Sequence, residues 1–148
     1  MTSKVLTAVL AIGLAVAGPV FAQGLPSAEG AKVYFVNLED GAEVSSPVKI
    51  VFGLSGMGIA PAEVEKENTG HHHLLIDRPP IGEGEGGADE LLYGLPADDN
   101  HKHFGKGQTE TMLELPPGKH TLQLVLGDMG HVPHSPPVMS QMITITVK

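Results

Sequence analysis

The chain has 148 residues, room for one domain of ordinary size, and is 41% hydrophobic but only 4% aromatic. Nine basic against seventeen acidic residues give a net charge of −8. A surface this acidic repels phosphate backbones and anionic lipid headgroups, which argues against nucleic-acid and membrane-surface binding. There is no cysteine, so neither a disulfide nor a thiolate is available for stability, soft-metal binding or nucleophilic chemistry.

Residues 1–22 read as a secretory signal. Lys4 supplies a positive start, Val5 to Ala17 an apolar run too short to span a bilayer, and Val20-Phe21-Ala22 a small-residue cleavage pattern. The expected product begins at Gln23, is periplasmic, and has no membrane insertion after cleavage. Residues 23–31 read as a flexible lead-in, and 32–148 as a single domain.

Within that domain, apolar residues alternate with a period of two. Val33 and Phe35 open the pattern, followed by Val48, Ile50, Phe52 and Leu54. His72, Leu74 and Ile76 then alternate with His71, His73 and Leu75. The runs Thr109–Leu115, His120–Leu126 and Met142–Lys148 complete the series. Asp40-Gly41, Pro116-Pro117-Gly118 and Gly127-Asp128 punctuate these runs as turns. About seven short strands joined by turns predict an all-β fold, an immunoglobulin-like β-sandwich, with a small barrel or jelly roll as the alternative. The one expected helical piece is 60–68, starting at Pro61. Residues 79–100 carry six acidic residues and no Lys or Arg. They read as an acidic Gly-rich loop, either a mobile insertion or a lid.

All eight histidines follow residue 70, and seven fall in three groups: His71-His72-His73, His101-Lys102-His103 and His131-Val132-Pro133-His134. On a strand, residues two apart share a face. His71 and His73 therefore project together, as do His101 and His103, and each pair can offer two imidazoles to one ion. The proline-rich loop holding His131 and His134 is suited to completing or gating such a site. His72 and His120 align with core leucines and read as core-edge residues. The expected ligands are thus His71, His73, His101, His103, His131 and His134, with Asp77, Glu110 and Asp128 as candidate carboxylates. Imidazole with methionine and without cysteine favours copper; imidazole with a carboxylate would suit zinc. No nucleophile elbow, phosphate loop or zinc-protease motif is present.

The segments Val33–Leu38, Glu65–Asp77, Asn100–Gly105 and Leu115–Leu124 together resemble domain-of-unknown-function family 4399, exported bacterial proteins, over 32–148. That resemblance implies an exported single domain and brings no activity with it. Asn37 to Ile50, and Leu115 through Asp128-Met129-Gly130-His131, are also similar to periplasmic copper-carrier sandwiches of the CopC type. That likeness implies copper carriage, although the histidine loop is one residue longer and the mature chain would not begin with histidine. The functional expectation is a periplasmic, His-rich copper-binding carrier or buffer. Two alternatives stand beside it. One is an interaction module that docks an envelope protein partner and uses its histidines as a hydrogen-bonded network. The other is a His-ligated metalloenzyme, for which no general base stands out.

Overall fold

The computed structural model describes residues 24–148; the signal-like segment lies outside the described residues. Alternation in the sequence becomes alternation in burial. In β3 (Val48–Ser55), Val48, Ile50 and Phe52 are buried while Lys49 is exposed, and in β9 (Ile143–Val147) the buried residues are Ile143, Ile145 and Val147. These side chains pack with Val33 of β1 (Lys32–Phe35) and with Leu122, Leu124 and Leu126 of β8 (Gly118–Gly127). Each such side chain contributes roughly 1.5–3 kcal/mol on burial.

Two sheets enclose this core. The smaller has the order β1-β3-β7, with β7 at Glu110–Leu113, and both pairings are antiparallel. The larger runs β2-β9-β8-β5-β4, where β2 is Glu43–Val44, β4 is Gly58–Ile59 and β5 is Thr69–Ile76. A sixth short strand, β6 (His101–His103), pairs with β5 beyond the end of β4. The fold is thus the expected all-β sandwich, with the six predicted runs present and β2, β4 and β6 added as short pieces.

Two segments differ from the sequence reading. Residues 60–68 form turns rather than a helix, because Glu63 and Asn68 adopt left-handed φ values of 66° and 54°. The helix α1 (Gly87–Tyr93) lies instead in the acidic segment, where Ala88, Glu90, Leu91 and Leu92 are good helix formers and Asp89 and Glu90 suit the first turn. Gly82, Gly84 and Gly86 reach it through positive φ.

This segment folds down onto the outer face of the large sheet. Ile81, Leu91 and Leu95 pack on Leu75 and Val125 to form a second, smaller core. Gln123 fastens it, its side-chain oxygen accepting from the Ile81 amide at 2.9 Å, and Arg78 pairs with Glu90 of α1. As a result every residue of β5 is buried, on both faces. Residues 24–31, expected as a flexible lead-in, are tied to the far loop. The Ser27 amide donates to the Ser135 carbonyl, the Ser135 amide to Leu25, and the Leu25 amide to the Asp128 carboxylate.

Candidate metal centre

The register of β5 against β6 sets His73 opposite His103 and Leu75 opposite His101. The two His-x-His elements therefore adjoin on one sheet. Strand alternation then divides the consecutive histidines. His72 turns inward, its ring 5.0 Å from that of Phe52, while His71 and His73 turn to the outer face. The turn after β8 brings His131 over the same place. Its ring lies 4.4 Å from His103 and 5.1 Å from His71, centre to centre.

One nitrogen from each of His71, His73, His103 and His131 lies within 4.8 Å of the others, and this group could hold a metal ion. The His73 Nε2 to His71 Nε2 distance is 3.0 Å and the His71 Nε2 to His131 Nδ1 distance 3.1 Å. Four nitrogens at about 2.0–2.1 Å from an ion in a tetrahedron are about 3.3–3.4 Å apart, so these two separations are close to what an ion requires.

Proton bookkeeping points the same way. The Pro96 carbonyl can only accept, so His101 Nδ1–H donates to it. His101 Nε2, in the neutral ring, then accepts from His73 Nδ1–H at 2.7 Å, with the two rings stacked 13° from parallel. This fixes the tautomer of His73 and leaves the Nε2 lone pair facing the cluster. His71 Nε2 has one proton at most to share between His73 and His131, while its buried Nδ1 has no partner. Neutral rings here are short of protons, a deficit that a cation makes good.

Burial favours the neutral form of His71, His73, His101 and His103. Burial, reinforced by the neighbouring charges His103 and His131, lowers His71 to about 4. Burial chiefly, then the adjacent imidazoles, drives His73 far below the ordinary histidine range. Burial also lowers His101 and His103, the latter helped by His131 and His101. Neutral imidazole is the form that binds metal.

The remaining expected residues have other surroundings. His101 stands behind His73 as its hydrogen-bond partner. His134 is buried with one ring nitrogen 3.3 Å from the Leu126 carbonyl and the other 3.2 Å from the Thr69 carbonyl, and so bridges β8 to the start of β5. Asp77 pairs with His120 at 2.7 Å, which raises the His120 pKa, and Glu110 pairs with Lys49 on the surface. Asp128 spends its carboxylate on amides: Oδ1 accepts from Gly130 and Val132, Oδ2 from Leu25. It thereby shapes the turn that holds His131 at a left-handed φ of 68°.

Two glycines belong to the site that the sequence does not mark as part of it: Gly127, expected as a turn residue, is the last residue of β8, and Gly105 follows β6. A Cβ at Gly127 would lie 2.4 Å from His73 Nε2, and one at Gly105 would lie 2.4 Å from His103 Nε2. Both make room for a ligand ring. The available signal was glycine at the end of a strong strand pattern, which marks a close approach.

Comparison with curated proteins and with solved structures gives no match. A family model described as Domain of unknown function (DUF4399) matches residues 50–148. Those residues run from within β3 to the C-terminal end and carry all four clustered histidines, Asp128 and both glycines; the chain belongs to the DUF4399 family.

Proposed function

We propose that this protein is a periplasmic metal-binding carrier or buffer whose ion is copper, held by His71, His73, His103 and His131. The observation that carries the reading is the meeting of imidazole nitrogens from His71, His73 and His131 at 3.0 and 3.1 Å, with the buried His71 Nδ1 left without a partner. The choice of copper rests on the donor set. The cluster contains imidazoles without carboxylate or thiolate, and such nitrogen sites bind copper(II) most tightly among the first-row divalent ions. Export rests on the signal-like residues 1–22. A carrier fits better than an enzyme, because the nearby carboxylate, Asp128, is engaged by backbone amides.

The test is metal content. Untagged protein from Gln23 onward, titrated with copper(II), copper(I) and zinc(II) and then desalted, should retain one ion per chain, with copper(II) displacing zinc. The double variant His71→Ala, His73→Ala should lose the ion while keeping the circular dichroism of a β-fold. Retention by the double variant equal to that of the parent refutes the assignment.

A further inference from the structure

The four histidines do not surround their common centre evenly. His71 and His73 are fully buried against the sheet, whereas His131 is half-buried and His103 exposed. On the open side lies a cavity of about 80 Å³ lined by His73, Leu95, Ala97, His101, His103 and His131. His71 is not part of its wall. An ion at the cluster would therefore have protein on one side and free space on the other. Leu95, itself buried, closes the cavity towards the second core, and exposed Ala97 stands at its rim.

Charge and size define what this space accepts. Four neutral imidazoles leave the whole charge of a divalent ion uncompensated, and Asp128 already has three amide donors. A volume near 80 Å³ has room for several waters. It suits a ligand of a few non-hydrogen atoms.

Building on the metal-site reading above, we propose that the ion keeps an open coordination position facing this cavity, and that the position takes a small anion. Ligand exchange there replaces a bound water with the anion and changes no oxidation state. The cavity sets the size limit, and Ala97 controls access.

The experiment uses untagged protein loaded with copper(II), desalted and titrated with sodium azide, with the charge-transfer absorption as readout. The expected result is saturable binding of one azide per ion with the ion retained. Benzoate, too large for the cavity, should not compete. Ala97→Trp, at an exposed position, should keep the ion and weaken azide binding at least tenfold, and Ala97→Leu should weaken it less. Azide that fails to bind a retained ion overturns the open position, as does azide that strips the ion. Azide affinity unchanged in both Ala97 variants overturns the cavity as the route. If no metal is retained at the outset, the metal reading itself fails and this proposal falls with it.

Discussion

Replacing Gly127 with alanine adds one methyl group beside His73, a fully buried member of the cluster. The backbone there is ordinary strand, so the exchange should by itself stabilise the fold by about 0.5–1 kcal/mol. The obstacle is the His73 ring, which the new Cβ would approach to 2.4 Å at Nε2 and 2.9 Å at Cδ2. That is ~1 Å short of ordinary van der Waals contact. His73 has little room to retreat, since His101 stacks on it and takes its Nδ1 proton at 2.7 Å. Displacing Nε2 by several tenths of an ångström exceeds the ~0.2 Å tolerance of a metal–ligand distance. Gly127→Ala should therefore lower metal affinity at least 10–100-fold, the range seen when a ligand's support is lost. The metal-free protein should lose about 1–3 kcal/mol through overpacking. Gly105→Ala meets His103 at the same 2.4 Å, but that ring is exposed and can swing aside, so its loss should be smaller. Competition titration against a chelator, with thermal unfolding with and without metal, measures both effects. A Gly127→Ala protein that binds the ion as tightly as the parent would refute the placement of His73 Nε2 at the centre.

Acid should destabilise the metal-free protein through histidines that the fold keeps neutral. His71 and His72 are held near 4 against an ordinary 6.5, so the unfolded chain takes up protons that the native state refuses. Stability should fall from about pH 6.5 towards 4, by about 1.4 kcal/mol per pH unit for each such histidine. Denaturant melts across that range check the slope, and a flat profile contradicts the burial argument. His72 donates to the Gln108 carbonyl at 3.4 Å and leaves Nε2 unpartnered in the core. His72→Phe should therefore flatten the slope by about one proton and leave metal binding intact; lost binding would mean that His72 is a ligand. His120 has the opposite sign. Its pKa is raised, first by the hydrogen bond to Asp77, so its contribution is full below about 6.5 and is lost as the pH rises through the raised value. Finally, His131→Gly should abolish tight metal binding yet raise the stability of the metal-free protein by about 1 kcal/mol, because glycine adopts the left-handed φ without strain. Lower stability in chemical denaturation would show that the ring packs more than it strains.

Strand periodicity made much of this legible. Val48, Ile50 and Phe52 announced their buried face, and the His-x-His spacing placed His71 with His73 and set His72 against the core. What periodicity does not contain is the path of a loop. His131 and His134 share one short motif, yet the turn built on Asp128 carries the first to the cluster while the second is buried between two carbonyls. Nor does an acidic, Gly-rich composition disclose that Ile81, Leu91 and Leu95 would find apolar partners on the sheet. That covering face depends on contacts distant in sequence, and it explains why β5 is buried on both sides where alternation predicted one.

The double burial of β5 also gives the site two lifetimes. This strand is bonded to β8 along one edge and to β4 and β6 along the other, so its backbone opens only when the sandwich itself comes apart. His71 and His73 are therefore as permanent as the native state. His131 rides on a surface turn and His103 on a three-residue strand, and both can yield in fluctuations far cheaper than unfolding. An ion bound here would be anchored on one side by global stability and released on the other by local motion. Its residence time could then change through the turn sequence alone, while the thermal midpoint of the metal-free protein stayed where it was.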